Sequence, residues 1–177
     1  MNRALALAVL SAFSSYVSAA DESGLLLGVG VGQATYEVDA LDFEDDATSW
    51  KAFAGWRIND NFSIEAAYID GGSVSASVGS VSARAEGEII QGSVVGGYWF
   101  TDTFGAYARA SYNAYEVELR ASGPGGSLVA KDDGNEAGWG AGLQALWDRA
   151  MWRLEYESAE FPEVDASVIS LSIVWRL

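Results

Sequence analysis

The sequence predicts an all-β protein, an eight-stranded antiparallel up-and-down transmembrane β-barrel. Two observations predict it: apolar and polar residues alternate along eight segments, and short turns alternate with longer connections. The alternation is clearest in the C-terminal segment, where one parity holds Ile169, Leu171, Ile173, Trp175 and Leu177. The other parity holds Ser170, Ser172, Val174 and Arg176. A period of two is typical of a strand with one apolar and one polar face.

Residues 1–20 have the pattern of a secretory signal peptide, which leaves residues 21–177 for the barrel. Arg3 supplies the positive charge, residues 4–13 are apolar, and Ser18, Ala19 and Ala20 are small. We place cleavage before Asp21, with the bond after Ala19 as the neighbouring option. The alternative is a membrane anchor, but the apolar stretch is far shorter than the ~20 residues that a spanning helix needs.

The amino-acid composition argues against several classes of function. The chain has no Cys and no His, so it offers no disulfide, no thiolate metal site and no His-dependent nucleophile. The formal net charge is −15, and removal of Arg3 with the signal makes it −16. Nucleic-acid binding needs a basic footprint, so we expect no nucleic-acid partner. We likewise expect no cofactor and no catalytic residue.

The eight predicted strands contain many Gly, Val, Tyr and Trp residues and show no helical spacing of apolar residues. They span 24–36, 48–58, 62–70, 86–100, 104–118, 135–147, 151–159 and 166–177. The predicted short turns are 59–61, 101–103 and 148–150, and the predicted long loops are 37–47, 71–85, 119–134 and 160–165. This alternation puts all short turns on one rim, as in outer-membrane barrels with short periplasmic turns and longer external loops.

The two faces of the strands differ in polarity. We predict as lipid-facing the residues Trp56, Ile64, Val94, Trp139, Leu143, Leu154, Leu171, Ile173 and Trp175. The other face carries the charged residues Lys51, Arg57, Glu65, Arg109, Arg153, Glu155, Glu157 and Arg176. An unpaired charge in a narrow lumen would be costly, so this mixture of signs predicts a structural ion-pair network inside the barrel.

A soluble calyx of the lipocalin type would show the same alternation turned inside out. Aromatic residues at strand ends favour the membrane barrel. Trp139 and Trp147 are eight residues apart. At ~3.3 Å per residue and a tilt of ~40° they would lie about 20 Å apart along the membrane normal, close to the apolar band of such barrels. Glycines on the charged face and the asymmetry of the connections favour the same orientation.

Two acidic features could carry chemistry. Glu155 and Glu157 share one face and superficially suggest an acid–base pair, but pairing with the basic residues of that face is the favoured interpretation. The connection 37–46 holds six acidic residues and no basic one. Its oxygen ligands could bind divalent cations such as Ca²⁺ or Mg²⁺. It does not match the EF-hand pattern, and a solvated acidic loop is the favoured interpretation.

Three segments carry a family resemblance: NFSIEAAYID at 61–70, VVGGYWF at 94–100 and VISLSIVWRL at 168–177. With the signal and the eight strands, residues 21–177 resemble the eight-stranded outer-membrane β-barrel family, the OmpA-like and OmpX-like group. The resemblance implies a location in the Gram-negative outer membrane, contact with its lipids, and recognition of strand 168–177 by the insertion machinery. It also implies heat-modifiable migration on gels. The chain departs from the family in ending on Leu177 instead of Phe.

Enzymes on this architecture generally rely on a catalytic His, which this chain lacks. The leading hypothesis is therefore a small, non-enzymatic integral outer-membrane protein. Its barrel would anchor acidic external loops that mediate surface contacts or envelope integrity. Two alternatives stay open: a narrow ion-conducting path through the charged lumen, and a soluble periplasmic carrier of an apolar ligand.

Overall fold

The computed structural model describes residues 24–38, 43–78, 81–124, 126–160 and 165–177. They form eight strands: β1 (Leu25–Val38), β2 (Phe43–Arg57), β3 (Phe62–Val78), β4 (Val81–Trp99), β5 (Phe104–Gly123), β6 (Gly126–Trp147), β7 (Ala150–Glu160) and β8 (Asp165–Arg176). Within these ranges, no helix is long and apolar enough to cross a bilayer. The predicted signal peptide, residues 1–20, lies outside the described residues.

Each strand pairs antiparallel with its chain neighbours, and β8 pairs with β1 to close the barrel. In the closing pair Val29 lies opposite Ile173 and Val31 opposite Leu171, so the two apolar faces are in register. The predicted fold class is confirmed. Eight strands enclose an interior just wide enough for side chains to fill.

The three short turns lie where the sequence predicts them, to within one residue. Asn59 Oδ1 accepts hydrogen bonds from the backbone N–H groups of Asn61 and Phe62, both at 2.9 Å. Thr101 Oγ1 accepts one from the N–H of Phe104 at 2.9 Å. Asp148 begins the third turn with φ at 57°, a left-handed conformation that Asp tolerates better than most side chains.

The long connections differ from the prediction. Residues 71–78 and 81–85 belong to β3 and β4, and residues 119–123 and 126–134 belong to β5 and β6, so two of the four predicted loops are strand extensions. The connection predicted at 37–47 is also mostly strand, because β1 ends at Val38 and β2 begins at Phe43. In the fourth predicted loop, 160–165, the strands end at Glu160 and resume at Asp165.

The extended parts of β3–β6 form a four-stranded sheet that continues beyond the other strands. We call residues 70–78, 81–88, 116–123 and 126–133 the external sheet. β5 and β6 have 20 and 22 residues, whereas β7 and β8 have 11 and 12. The β2–β3 register ends at the pair Trp50–Asp70. A bulge follows, in which Gly72 adopts φ +79° and its N–H donates to Asp70 Oδ1 at 2.9 Å.

Candidate functional site

The inward face of the barrel holds a cluster of buried charges. Lys51, Glu65, Arg109, Arg153 and Glu155 lie on four different strands and are each at most 4% exposed. Strand alternation places them inside because their parity is opposite to that of the large apolar residues. A buried charge is tolerated only when it is paired and hydrogen-bonded, so the geometry of the pairs decides what this interior can do.

Arg109 on β5 is the centre of the cluster. Its Nη2 lies 2.9 Å from Glu65 Oε2, and its Nε lies 2.9 Å from Glu155 Oε1. Its Nη1 donates to Gln91 Oε1 at 2.8 Å and to Ser93 Oγ at 3.3 Å. One guanidinium thus connects β5 to β3, β4 and β7 across the lumen.

The two remaining cations extend this arrangement. Lys51 Nζ lies 2.5 Å from Glu155 Oε2 and 2.6 Å from Glu157 Oε2. Arg153 Nη1 lies 2.8 Å from Glu65 Oε1. We call Lys51, Glu65, Arg109, Arg153, Glu155 and Glu157 the interior network. Its three cations balance its three carboxylates, so the network as a whole is neutral.

The structure brings six of the eight predicted interior charges together. Arg57 and Arg176, which the sequence predicts as members too, are the last residues of β2 and β8 and lie half-buried at the short-turn end. Among the described residues, no ion pair joins either side chain to the network. Sequence parity identified their face but not their height along the barrel axis.

Sequence reasoning missed the neutral members of the site. Gln91 Nε2 donates to Glu157 Oε1 at 3.2 Å and to Asn113 Oδ1 at 3.0 Å. The ring of Tyr107 lies under the Arg153 guanidinium, 4.9 Å from its carbon to the ring centroid. Tyr107 and Asn113 share the inward parity of Arg109 on β5, and Gln91 is the register partner of Asn113 on β4. A search restricted to charged residues overlooks all three.

The outward face holds the predicted lipid-facing residues. Eight of them are between 41% and 59% exposed: Trp56, Ile64, Val94, Trp139, Leu143, Leu154, Leu171 and Trp175. The ninth, Ile173, is half-buried. This placement does not favour the soluble-carrier alternative, because a carrier of an apolar ligand would have its tryptophan-bearing face inside the barrel.

The predicted cation site at 37–46 lies mostly outside the described residues. Of its carboxylates the structure describes that of Asp46, which accepts hydrogen bonds from Gln33 Nε2 at 2.8 Å and Thr35 Oγ1 at 2.7 Å. In the described part of the chain no three potential His, Cys, Asp or Glu ligands are grouped to hold a metal. Divalent-cation binding at this connection stays a prediction.

A model of the outer membrane protein beta-barrel domain family matches residues 5–176. The chain belongs to this family. Membership places the protein in the outer membrane and its apolar outer face in a lipid environment. The hypothesis of an OmpA-like outer-membrane barrel is confirmed at that level.

Solved structures show the same fold at low sequence identity. Ail of Yersinia pestis, in complex with the heparin analogue sucrose octasulfate, matches with TM-score 0.67 and 12% identity over 88% of this chain and 99% of that chain. Neisserial surface protein A matches with TM-score 0.70 and 13% identity over 88% and 98%. The N-terminal barrel of Pseudomonas aeruginosa OprF matches with TM-score 0.52 and 11% identity over 84% and 96%. No curated protein matches the sequence.

Proposed function

We propose that this protein is a small, non-enzymatic outer-membrane anchor that presents a negatively charged external sheet for surface contacts or envelope integrity. The observation that carries the proposal is the interior network. It closes the middle of the lumen with ion-paired side chains, so a partner can meet the protein only at its ends, and the external sheet is the acidic surface at one of these ends.

The network argues against a diffusion pore. Arg109, Glu65 and Glu155 are each at most 4% exposed, and the pair of Arg153 with Glu65 joins β7 to β3 on the opposite side of the barrel. An ion that crossed this layer would have to separate charge-assisted hydrogen bonds in a poorly hydrated interior. This supports a closed barrel over the alternative of an ion-conducting path.

The network also argues against carboxylate catalysis. A general acid or base must reach a substrate proton within hydrogen-bond distance or through one water. Glu155 is 2% exposed, and its two oxygens are engaged by Lys51 and Arg109. The pair Glu155 and Glu157 is therefore better explained as counter-charge for these two cations, and the sequence offers no His to replace it.

The external sheet and the strand positions beside it carry an excess of acid. Residues on this side of β3–β6 include eight acidic and three basic side chains: Asp70, Glu86, Glu88, Glu116, Glu118, Asp132, Asp133, Glu136, Arg84, Arg120 and Lys131. One row across the four strands is wholly acidic, because register pairs Asp70 with Glu88, Glu88 with Glu116, and Glu116 with Asp133.

This charge predicts which partners the sheet favours. The complementary partner is a cationic surface, since opposite potentials steer association and fix orientation. The Ail structure contains sucrose octasulfate, a polyanion. The net negative charge of the external sheet would repel such a ligand, so we do not extend that ligand class to this chain.

Electrical recording tests the closed lumen. We expect purified protein in planar bilayers to show no large, steady conductance. The control is a Glu155→Gln variant, which keeps the shape of the side chain but removes one counter-charge of Lys51 and Arg109. A steady conductance in the wild type that changes in this variant would replace our proposal with the ion-path alternative.

Adsorption of a cationic peptide tests the role of the external sheet. In nanodiscs that contain only neutral lipid, we expect a lysine-rich peptide to bind the wild type at low salt and to dissociate as salt rises. Replacing Asp70, Glu88, Glu116 and Asp133 by their amides should abolish most of this binding. The control neutralises two carboxylates at the opposite rim, Asp60 and Asp102 in the short turns, and the losses are compared per carboxylate removed. Equal losses in both variants would contradict a specific role for the external sheet.

A further inference from the structure

A cavity of about 280 Å³ opens at the short-turn end of the barrel. Residues 59–61 and 101–102 of two short turns line its mouth, and apolar side chains of Trp99, Leu146 and Met151 line its wall. The indole N–H of Trp99 donates to the backbone oxygen of Asp60 at 3.2 Å, which fixes the ring. The external sheet described above lies at the opposite end of the strands, so the cavity is a separate feature.

Two arginines lie at the mouth of the cavity and form no ion pair with the aspartates there. Arg57 and Arg176 both line the cavity, and neither side chain forms an ion pair in the described part of the chain. They flank the start of β1, because the Arg57 N–H donates to Gly24 O at 2.6 Å and Arg176 is the register partner of Leu26. Their backbones therefore lie two strand spacings apart, about 10 Å. Long side chains from both positions can reach one anion between them.

The inner end of the cavity carries two buried donors that lack a hydrogen-bond partner. Arg153 and Tyr107 line the cavity and are 3% and 5% exposed. Arg153 Nε and the Tyr107 hydroxyl have no hydrogen-bond partner in the structure, although Arg153 Nη1 binds Glu65. A buried donor without a partner is unfavourable, and such groups are uncommon in native proteins.

We propose that this cavity binds a small aromatic carboxylate. The carboxylate would lie between Arg57 and Arg176, and the ring would pack against Trp99 and the apolar wall. A volume of about 280 Å³ suits a ligand at the small end of the range for binding pockets. Asp60 and Asp102 also line the mouth, and their charge disfavours anions that carry more than one negative charge.

Benzoate is the probe that tests this site. We expect it to change the fluorescence of the detergent-solubilised barrel saturably, and we expect Trp99→Phe to remove the response. The double variant Arg57→Gln, Arg176→Gln should weaken binding by at least about tenfold, the typical effect of losing a hydrogen bond to a charged group. Arg149→Gln is the matched control, because Arg149 lies in a short turn on the same rim but does not line the cavity.

Benzamide, the neutral analogue, makes the test independent of any variant. We expect it to bind the wild type at least about tenfold more weakly than benzoate, since it lacks the charge that the arginines recognise. If the double variant does not fold, as judged by its heat-modifiable migration on gels, the comparison of benzoate with benzamide on the wild type still tests the proposal. The proposal is overturned if benzoate gives no saturable response, if benzamide binds equally well, or if Arg149→Gln costs as much as the double substitution.

Discussion

The interior network and the external sheet contain the same kind of ion pair in opposite surroundings. Inside, Arg109 and Glu65 lie 2.9 Å apart, and their side chains are 1% and 0% exposed. Outside, Lys131 and Glu118 also lie 2.9 Å apart, but their side chains are 56% and 19% exposed. Equal distances therefore do not imply equal energies, because the surrounding solvent differs.

Solvent decides what removal of one partner does. A buried charge that loses its partner keeps its full desolvation penalty and has no water to replace the lost bonds. An exposed charge that loses its partner is hydrated at once, and dissolved salt already screens the pair. The interior network is thus a structural constraint on the barrel, whereas the external pairs mainly set the local potential.

Substitution of Arg109 by Met is expected to give the largest effect. The variant leaves Glu65 and Glu155 without their shared partner in the lumen, and breaking a buried pair in this way typically costs about 3–5 kcal/mol. Urea unfolding of the barrel refolded into lipid vesicles, followed by Trp fluorescence, measures the change.

The matched control for this experiment is Arg120→Met in the external sheet. Arg120 pairs with Glu118, and its side chain is 63% exposed, so we expect its unfolding curve to overlay that of the wild type. Similar losses in the two variants would show that burial does not separate the two regions, and the comparison would fail.

Adding a charge, instead of removing one, tests the same difference between the membrane-spanning barrel and the external sheet. Leu171→Arg places a guanidinium on the lipid-facing surface, where basic residues near the midplane of such barrels cost about 2–4 kcal/mol. Val129 is also on the outward parity and is 56% exposed, but it belongs to the external sheet. Val129→Arg should stay within about 0.5 kcal/mol of the wild type. The same unfolding assay measures both, and equal effects would place the two positions in one environment.

The alternation of apolar and polar residues was sufficient to predict the strands of the barrel wall. The outward face is apolar throughout, whereas the inward face holds the charged and small residues together with a buried apolar cluster that includes Leu26, Phe53 and Val174. The apolar periodicity of the outward face predicts both the strands and their orientation. In the external sheet the contrast disappears, because Ser82 pairs with Ser122 and Ala83 with Ala121. Both faces of these segments carry small or polar residues, and the sequence pattern therefore resembles a loop.

The candidate site was predictable in composition but not in geometry. Parity places Arg57 and Arg109 on the same inward face, yet one lines the mouth at the short turns and the other lies in the network. Position along the barrel axis depends on strand tilt and register, which the sequence of a single strand does not contain. Neutral partners such as Gln91 can be assigned to the network only when the register of β4 against β5 is known.

The smallest effect concerns the titration of Glu118 in the external sheet. Hydrogen bonds from Lys131 and then from Arg120 hold the pKa of Glu118 below its ordinary value of 4.5. A lowered pKa means that the ionised side chain supports the sheet above about pH 4.5 and that this support is lost as the pH falls through the lowered value.

An NMR titration of the Glu118 carboxyl in micelles measures this shift directly. We expect Lys131→Met to move the midpoint upward toward 4.5, and we expect high salt to do the same in the wild type, because solvent and ions reach this exposed pair. Arg149→Met removes an equal charge at the opposite end of the barrel and should leave the midpoint unchanged. A midpoint that Lys131→Met leaves unchanged would contradict the prediction. A midpoint that shifts in Lys131→Met but resists salt would mean that Glu118 is shielded from solvent like the carboxylates of the interior network. The external sheet would then have to be covered by something that excludes water.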